Sequence, residues 1–477
     1  MRACLSLLLV MATFLQADAQ SRNRQIVEAY ERVRMEAIAK AEQSVVAIAR
    51  VRQAARGVAA PRGPNPTSSD FVPGEYASGV MIDSRGFILT TQHVLGDPKK
   101  NDYYIFLARK PYRAKVKATD PWLDLAILQI QTTKPRQYRQ IAIGDNKKVR
   151  KGQTVLALGN PFAIARDGQV SVSQGIISNI GRKAPQLAKP PRGVSKQPTL
   201  HHFGTLLQTD AKLNQGTSGG ALVNLDGQLV GLITTLAAGA RFERAAGFAI
   251  PIDAVVRRSI EKLKQGKQPE YGFLGVQTLD LTAEARRNGR FGVRVRVTEG
   301  TPASHGGLRD GDIVIRVNSA RIFNRGDLTR QICGYPVGTQ VDLTFIRGWA
   351  KNRRGRQLTQ KVMLGKRYVA SHRPAFAEIP LPFWRGVQVD YGTAVPVAVL
   401  QDLSVRVDPT RTVVVRSVKR ESAAWKAGLR QYDYVSHIGD RRILSPRDFF
   451  SAVRGKNGAV TLRLANRKDT KREVAGE

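Results

Sequence analysis

The chain has 477 residues, more than one ordinary domain holds, so about three domains are expected. Its apolar fraction of 42% supports packed cores. After the N-terminal segment there is no run of eighteen or more apolar residues, so no membrane span is predicted there. The formal net charge of +38 favours anionic partners, which makes an anionic envelope surface a candidate partner. Without zinc-finger spacing or aromatic-interleaved basic motifs, no specific nucleic-acid partner is expected, and the densest basic run, Arg347 to Lys361, is interpreted as a solvated surface.

Residues 1–19 have the pattern of a secretory signal peptide. A positive start precedes the apolar run Ala3 to Leu15, and Ala17 to Ala19 has the A-x-A form of a cleavage site. Cleavage after Ala19 predicts a periplasmic or other extracytoplasmic protein, with an uncleaved anchor as the alternative. Loss of Cys4 with the signal leaves Cys333, which we interpret as a small buried apolar residue rather than a reactive thiol.

The segment 20–43 predicts a helix. Apolar residues recur every three or four positions and share one helical face: Ile26, Tyr30, Val33, Ala37 and Ala41. This face is expected to pack on the next domain or on a neighbouring subunit. Ser44 to Val51 then predicts a strand, and Arg52 to Gly74, rich in Pro, Gly and Arg, predicts a loop.

From Tyr76 onwards, short apolar runs alternate with turns. The predicted strands are Ala77 to Asp83, Phe87 to Thr91, Tyr103 to Ala108, Leu125 to Ile130, Thr154 to Leu158, Val170 to Ile180, Leu222 to Asn224, Gln228 to Thr235 and Gly247 to Ile250. Many short strands with few helices indicate a mainly β barrel or sandwich. Pro251 opens a helix with one apolar face, and this domain is expected to span residues 44–267.

Three side chains at strand–loop junctions of this domain fit nucleophilic catalysis. Ser218 lies in GTSGG, where glycines permit a tight turn and let the amides of Gly216, Thr217 and Ser218 converge as an oxyanion hole. His93 directly follows a strand and Asp124 begins another, which supplies a base and a carboxylate to orient it. Each residue alone has a structural alternative (a surface turn, a structural histidine, a strand start), but the ordered set is much more specific.

Five segments resemble the HtrA/Deg family of exported serine proteases: SGVMIDSRGFILTTQHVL, DLAILQI, LALGNPFAI, QTDAKLNQGTSGGALVN and AAGFAIPID. The resemblance covers nearly the whole mature chain and implies a chymotrypsin-like double β-barrel. It further implies that His93 is the general base, Asp124 its orienting acid and Ser218 the nucleophile. No cofactor and no metal are implied, because the triad carries the chemistry. Thr217 and Ala221 replace the family's usual Asn and Pro, a change that is not expected to abolish catalysis.

An apolar specificity pocket is predicted beside the nucleophile. Gly231 to Ala238 is aliphatic and uncharged, which fits the family's cleavage after small aliphatic residues. The predicted lining is Leu213, Leu232, Ile233, Thr234 and Leu236. Lys212 lies where related proteases place the pocket floor. Pointing inward it would admit acidic or polar side chains; an outward orientation is favoured, because burying an unpaired lysine is costly.

Residues 181–203 form a Pro-rich, basic segment without periodicity. A loop of this length inside a compact domain is typical of functional or mobile elements. By resemblance, it occupies the place of the family's regulatory loop, which senses substrate-bound PDZ domains. It contains His201 and His202, but two adjacent histidines are a weak basis for a metal site, so no metal site is expected.

An internal repeat follows, in which Glu299 to Ile322 parallels Arg420 to Ile443. Each copy is preceded by strands and followed by a capped helix, with Asn324 and Asp327 at one start and Ser445, Pro446 and Asp448 at the other. The copies resemble PDZ domains, expected at residues 269–366 and 382–476, with a linker at 367–381.

A PDZ domain adds a peptide to its sheet edge and binds the terminal carboxylate with free N–H groups of a loop. In the first domain the predicted loop is Phe273, Leu274, Gly275 and Val276. In the second, Trp384 to Val387 (WRGV) is a poorer match, which argues against peptide binding by this degenerate domain; the alternative is that it serves only assembly or packing.

Together these features predict an exported, ATP-independent serine endopeptidase of envelope quality control and the stress response. It would cleave unfolded or damaged proteins under control of PDZ-bound C-terminal peptides. Chaperone activity is a candidate additional function, and the resemblance implies a homo-trimer or higher homo-oligomer. One alternative is a catalytically idle PDZ peptide-binding scaffold, against which the intact triad argues. Another is a basic envelope- or nucleic-acid-associated protein; salt-dependent polyanion binding that survives Ser218→Ala would favour it.

Overall fold

The computed structural model describes residues 2–53, 75–107, 110–132, 137–160, 169–184, 199–234, 247–349, 355–370, 375–403, 407–467 and 470–476, with side chains from residue 22 onwards. Its contacts divide the chain into two units. The first comprises Met1–Val116, Leu125–Gly181 and Leu206–Val256. The second comprises Lys117–Asp124, Arg182–Thr205 and Arg257–Glu477.

Helix α1 spans Arg2–Glu42 and therefore begins well before the helix predicted at 20–43. The predicted apolar face divides into two parts. Ala37 and Ala41 are buried, whereas Ile26, Tyr30 and Val33 remain exposed. The C-terminal turns of α1 thus pack on their own unit, and the preceding turns present apolar surface. No helix in the described part of the chain has both the length and the apolarity to cross a membrane.

Two closed antiparallel barrels follow, which confirms the predicted double β-barrel. The first consists of β1 (Val45–Arg52), β2 (Glu75–Asp83), β3 (Phe87–Thr91), β4 (Asn101–Leu107), β5 (Lys110–Asp120) and β6 (Leu125–Ile130), in the order β1-β2-β3-β6-β5-β4. The second consists of β7 (Thr154–Gly159), β8 (Ser171–Arg182), β9 (Leu206–Thr209), β10 (Ala221–Val223), β11 (Leu229–Thr234) and β12 (Gly247–Pro251), in the order β10-β11-β12-β9-β8-β7. Helix α2 (Ala254–Lys264) follows.

The repeat forms two sheets of the same topology, which confirms two PDZ folds. The first contains β13 (Gly272–Phe273), β14 (Val276–Leu279), α3 (Ala283–Arg287), β15 (Val293–Val297), α4 (Pro302–His305), β16 (Ile313–Val317), β17 (Ala320–Arg321), α5 (Arg325–Gly334), β18 (Gln340–Arg347), β19 (Arg356–Met363) and β20 (Gly365–Lys366). Its main sheet has the order β14-β15-β16-β18-β19, with β17 on β16, and β13 pairs with β20.

The second contains β21 (Val387–Tyr391), α6 (Val397–Leu403), β22 (Val413–Val418), α7 (Ala423–Lys426), β23 (Tyr434–Ile438), β24 (Arg441–Arg442), α8 (Pro446–Val453), β25 (Val460–Leu464) and β26 (Thr470–Val474). Its order is β21-β22-β23-β25-β26, with β24 on β23.

Local sequence explains the start of the corresponding PDZ helices. Asn324 accepts a hydrogen bond from the Asp327 amide and Asp327 returns one to the Asn324 amide, so α5 begins with the predicted capping box. Ser445 caps α8 in the same way by accepting from the Asp448 amide, and Pro446 occupies the first helical turn. The buried state predicted for Cys333, on α5, is confirmed.

The described part of the predicted linker is hydrogen-bonded rather than free. Thr119 donates its amide to the Phe376 carbonyl (2.9 Å), and its Oγ1 accepts from the Phe376 amide (2.8 Å). Ala377 forms a β-bridge with Ala118. The segment between the two PDZ domains therefore holds the end of β5 within the second unit.

Candidate active site

His93 lies immediately beyond the fully buried strand β3, in the 3₁₀ turn Gln92–Val94. The turn closes through a hydrogen bond from the Leu95 amide to the Gln92 carbonyl (3.1 Å). The five buried residues of β3 anchor the strand in the barrel, and the chain turns at its end. The imidazole consequently lies half-buried at the barrel rim.

Asp124 directly precedes β6, which is the neighbour of β3. Thr91 and Leu125 are paired in register, so His93 follows that pair by two residues and Asp124 precedes it by one. Asp124 is buried and has φ +52°, in the left-handed region that few residues other than glycine adopt. The chain is therefore held in an uncommon conformation at the predicted acid.

The GTSGG turn has the backbone that its glycines predict. Gly216 and Gly219 have φ +96° and +83°. The Thr217 amide donates to the Asn214 carbonyl (3.2 Å), and the Gly219 amide donates to the Ile233 carbonyl (2.8 Å). The Gly216 amide has no backbone acceptor among the described residues, so it remains able to donate to a substrate oxyanion, whereas the Thr217 amide is occupied.

Ser78 on β2 fixes this turn against the first barrel, a role that sequence reasoning missed. Its amide donates to the Ser218 carbonyl (2.9 Å), and its Oγ donates to the Gly216 carbonyl (2.8 Å). The same Oγ accepts from the Asn160 amide (2.7 Å), while Thr90 Oγ1 donates to the Ser78 carbonyl (2.8 Å). One buried serine thus connects the nucleophile turn to the strands that lead to His93.

The predicted pocket residues divide between the barrel core and its rim. Leu232, Ile233 and Thr234 are buried on β11, and Ile233 lies in the core of the second barrel with Leu213 packed on that core. Leu213 also lies against Gly247, where an added Cβ would be 2.6 Å from its side chain. Leu236 lies outside the described residues. Lys212 is exposed, so the outward orientation is the one observed.

Asp120, four residues before Asp124, is a buried carboxylate that sequence reasoning also missed. One oxygen accepts from Ser259 Oγ (2.6 Å) and from the Tyr271 hydroxyl. The other accepts from the backbone amides of Trp122 (3.0 Å) and Leu123 (3.3 Å). Burial raises the pKa of Asp120 more strongly than these hydrogen bonds lower it. Asp120 therefore links the chain segment 120–123, which leads into Asp124, to the first PDZ domain, which supplies Tyr271.

Trp122 stabilises the same segment from its other side. The Arg367 guanidinium lies 4.2 Å from the centre of the indole ring, and the Phe203 ring lies 6.0 Å away. The Leu200 amide donates to the Trp122 carbonyl (2.9 Å). Trp122, two residues before Asp124, is thus packed between Arg367, at the start of the predicted linker, and the end of the predicted regulatory loop.

The two loop histidines make structural hydrogen bonds. His201 Nε2 contacts the Leu123 carbonyl (2.8 Å) and its Nδ1 contacts Thr205 Oγ1 (2.7 Å). Burial lowers the pKa of both His201 and His202. His202 Nδ1 accepts from the Thr199 amide (3.0 Å). Within the described ranges, no group of three or more His, Cys, Asp or Glu side chains is placed to hold a metal ion.

The predicted carboxylate loop of the first PDZ domain is anchored through its carbonyls. Leu274 and Gly275 accept from the amides of Ala303 (2.8 Å) and Thr298 (3.0 Å). Leu274 is buried in the domain core, and Gly275 has φ +85°. The corresponding carbonyls of the second domain, Arg385 and Gly386, accept from Ala424 (3.1 Å) and Lys419 (2.8 Å). The loops are therefore equivalent in position, although Phe273 to Val276 and Trp384 to Val387 differ in sequence.

Comparisons with known proteins agree with this architecture. The trypsin-like peptidase domain family matches residues 77–232, and the PDZ domain family matches residues 272–359. The periplasmic pH-dependent serine endoprotease DegQ of Escherichia coli (strain K12) is 29% identical over 393 residues, which cover 81% of this chain and 77% of DegQ. The periplasmic serine endoprotease DegP of Salmonella typhimurium is 31% identical over 275 residues, which cover 57% of this chain and 54% of DegP.

A solved structure of the HtrA-type protease AlgW with a decapeptide has a TM-score of 0.51 and 25% identity, and the match covers 70% of this chain and 99% of AlgW. The double barrel, the PDZ folds and these relatives agree on one assignment. The chain is a serine endoprotease with a trypsin-like peptidase domain followed by PDZ domains, and it is similar to the periplasmic endoproteases DegQ and DegP and to the HtrA-type protease AlgW.

Proposed function

We propose that Ser218 is the nucleophile of peptide-bond hydrolysis, with His93 as general base and Asp124 as the carboxylate that orients the imidazole. The observation that carries this proposal is the GTSGG turn, which Ser78 fixes and in which the Gly216 amide has no backbone acceptor within the described ranges. The register pair Thr91–Leu125 supports it, because His93 and Asp124 flank that pair along the chain.

In this mechanism, His93 takes the Ser218 hydroxyl proton as the oxygen attacks the scissile carbonyl. The oxyanion that forms accepts hydrogen bonds from the amides of Gly216 and Ser218. His93 then gives the proton to the leaving amine, and a water molecule hydrolyses the acyl-enzyme by the reverse proton transfers. Asp124 stabilises the imidazolium form of His93 and fixes its tautomer. No step requires a metal or a cofactor.

The test is digestion of a permanently unfolded protein by the wild type, by Ser218→Ala and by Ser171→Ala. Ser171 is an exposed serine on β8 and serves as the matched control. We expect Ser218→Ala to lose at least about a thousand-fold of the rate and Ser171→Ala to be unchanged. A serine-directed sulfonyl fluoride should label Ser218 in the wild type. Equal cleavage by all three proteins would contradict the assignment.

The proposed specificity is cleavage after small aliphatic residues, in a pocket formed by Leu213, Leu232, Ile233, Thr234 and Leu236. The exposed position of Lys212 supports an uncharged pocket. A peptide series that varies only the residue before the scissile bond tests this. Valine and alanine should be preferred, and a preference for glutamate would instead place the Lys212 ammonium in the pocket.

The proposed substrates are unfolded or damaged proteins outside the cytoplasm, with activity raised by peptides bound to the first PDZ domain and with additional chaperone activity. The relatives' periplasmic assignments and the predicted signal at 1–19 support this location. N-terminal sequencing of the exported protein should begin at Gln20. A Ser218→Ala protein that suppresses aggregation of an unfolded substrate would demonstrate the chaperone activity separately.

A homo-trimer or higher homo-oligomer is proposed from an exposed apolar surface on the first unit. It combines residues of α1 with residues of β8: Ile26, Tyr30, Val33, Val172, Ile176 and Ile180. Gln174 of β8 joins the two elements, because its Nε2 donates to the Tyr30 hydroxyl (2.8 Å) and its Oε1 accepts from Arg34 (3.0 Å). Light scattering should show an oligomer that Ile26→Lys with Val33→Lys dissociates; an unchanged mass would exclude this surface.

A further inference from the structure

Strand β14 lies at the end of the first PDZ sheet and pairs only with β15 in the described strand order. A peptide that adds to a PDZ sheet pairs with such an edge and runs antiparallel to it. The C-terminal end of α5 lies beside the carboxylate loop, since the Gly272 amide donates to the Tyr335 carbonyl (3.0 Å). The N-terminal end lies beside β14, since Arg325 Nε donates to Thr278 Oγ1 (3.1 Å).

These contacts define the direction of the groove between β14 and α5. A peptide whose terminal carboxylate binds at Phe273 to Val276 would place its own residues, two or three positions upstream of the C-terminus, beside Thr278 and Arg325. Arg325 is exposed and has no carboxylate partner among the described residues. It also lies in the first turn of α5, where the helix dipole adds to the positive potential.

Two more arginines flank the same edge from β15. Arg296 is paired in register with Gln277, and Arg294 is paired with Leu279. Both are exposed, because the alternate residues Val293 and Val295 occupy the core. No ion pair is found for either guanidinium within the described ranges. The nearby carboxylate of Asp280, just after β14, is already paired with Arg286 (2.9 Å).

The distances suit a bound peptide. Neighbouring strands lie about 4.8 Å apart, so a peptide on β14 is about 10 Å from β15. An extended arginine and a glutamate side chain span that gap together. Unpaired cations beside a peptide edge attract complementary anions and disfavour cationic sequences.

The described residues of the second PDZ domain do not form this arrangement, which provides an internal control. Its Gln388 is paired in register with Ser417, at the place of the Gln277–Arg296 pair of the first domain. Its neighbouring Arg416 is 3.3 Å from the buried carboxylate of Asp390 and is therefore already paired. The concentration of unpaired arginines at a peptide edge is thus a property of the first domain.

We propose that the first PDZ groove selects peptides with acidic side chains two or three residues upstream of a free C-terminal carboxylate, through Arg325, Arg294 and Arg296. This inference rests on the peptide-binding role proposed above and specifies its ligand class. The substrates that activate the protease most strongly would then be those whose exposed C-terminal ends carry acidic residues.

The test uses the full mature chain with Ser218→Ala, so that bound peptides are not cleaved. The probes are fluorescent ten-residue peptides with an apolar last residue and either Glu or Gln at the second and third positions upstream. Partly exposed ion pairs contribute only modestly to affinity, so the Glu peptide should bind roughly three- to ten-fold tighter at low salt. That preference should shrink at higher ionic strength.

The variants separate the possible outcomes. Arg325→Gln, and Arg294→Gln with Arg296→Gln, should bring the two affinities together without weakening the Gln peptide. The control is Arg447→Gln, at the corresponding exposed helix start of the second domain, which should preserve the preference. Equal affinities in the wild type would overturn the acidic preference but leave the peptide site intact. Binding unchanged by a C-terminal carboxamide would contradict carboxylate capture itself and indicate a general polyanion surface instead.

Discussion

The two PDZ domains share one topology but differ in the loop that would receive a peptide carboxylate. In the first, Leu274 enters the core and only Gly275 has a left-handed backbone within Phe273 to Val276. In the second, both Arg385 (φ +46°) and Gly386 (φ +84°) are left-handed. Trp384 and Val387 then exchange two backbone hydrogen bonds (2.9 and 2.8 Å).

Two left-handed residues between mutually bonded neighbours form the tight turn of a β-hairpin. In the second domain this turn uses the Val387 amide internally, so that this donor is lost to a carboxylate. No corresponding exchange joins Phe273 and Val276 in the described structure. The replacement of Leu274 by its counterpart Arg385 thus accompanies the change from an open loop to a closed turn.

The largest expected difference between the domains comes from substituting their equivalent glycines with alanine. A Cβ at Gly275 would overlap Thr301, and one at Gly386 would overlap Ser422; both positions also require positive φ. Gly275→Ala should lower peptide affinity more than about ten-fold, because it displaces the loop that binds the carboxylate. Gly386→Ala should change it by less than about two-fold. Fluorescence anisotropy on a Ser218→Ala background measures both.

The opposite result, with affinity lost in Gly386→Ala and kept in Gly275→Ala, would reverse the comparison and identify the second domain as the receptor.

The next effect concerns the stability of the closed turn. The buried Arg385 guanidinium donates to the carbonyls of Val474 (3.0 Å), Lys456 (2.7 Å) and Asn457 (3.0 Å). Arg385→Ala leaves these acceptors unsatisfied and should destabilise the second domain by about 3 kcal/mol. Hydrogen exchange of the β21 and β22 amides should report this, with β14 and β15 unaffected. Arg420→Ala, an exposed arginine nearby, is the control, and an equal loss in both would refute the role of Arg385.

A smaller effect tests how far the first domain depends on the second. Lys366 on β20 is 2.7 Å from Asp390 and 2.9 Å from Glu270. Burial lowers the pKa of Lys366, but the two carboxylates outweigh this and raise the pKa overall. Asp390→Ala should cost about 2 kcal/mol, because it leaves a buried ammonium with one partner. Faster exchange of the Phe273 and Gly365 amides would show the coupling, and unchanged exchange would show independent domains.

The smallest expected effect depends on pH and concerns Tyr271. The corresponding residue of the second domain is an exposed proline, Pro382. Because the folded-state pKa of Asp120 is raised, this carboxyl contributes most to stability below its unfolded pKa of about 4 and loses that contribution as pH rises through the folded pKa. Tyr271→Phe removes a donor to the carboxylate and raises the pKa further. The variant should lose about 1 kcal/mol more at pH 7 than at pH 4.

Urea unfolding at the two pH values measures this difference. Asp120→Asn combined with Tyr271→Phe should abolish the extra loss at pH 7. If the loss persisted without the carboxylate, a group other than Asp120 would be responsible.

Features set by nearby residues were accessible from the sequence. The left-handed glycines of GTSGG, the capping box of Asn324 and Asp327 and the β alternation of VRVRV all follow from local chemistry. The repeat also revealed the second PDZ fold, because two copies of one pattern imply one topology. The double barrel came from the resemblance, since strand patterns alone left a barrel or a sandwich open.

Features that depend on distant residues were not accessible. Ser78 acts on Gly216 across 138 positions, and Asp120 acts on Tyr271 across 151. Both looked like ordinary strand residues, since their partners are defined only once the barrels and the PDZ domain have folded. Arg385 appeared only as a poor loop match. Its burial became apparent through the carbonyls of Lys456, Asn457 and Val474, which come from other parts of the domain.

Cys333 on α5 has a consequence for following motion in this protein. Its thiol is buried, and its pKa is raised by burial although the nearby Arg367 and Trp122 side chains act to lower it. These two side chains stack on each other, and Trp122 lies two residues before Asp124. If the signal peptide is cleaved after Ala19 as predicted, Cys333 is the remaining cysteine, and a thiol reagent would react with it only when the packing between α5, Arg367 and Trp122 opens. The rate of thiol modification at Cys333 would therefore measure how often the packing around α5 of the first PDZ domain opens, without any engineered label.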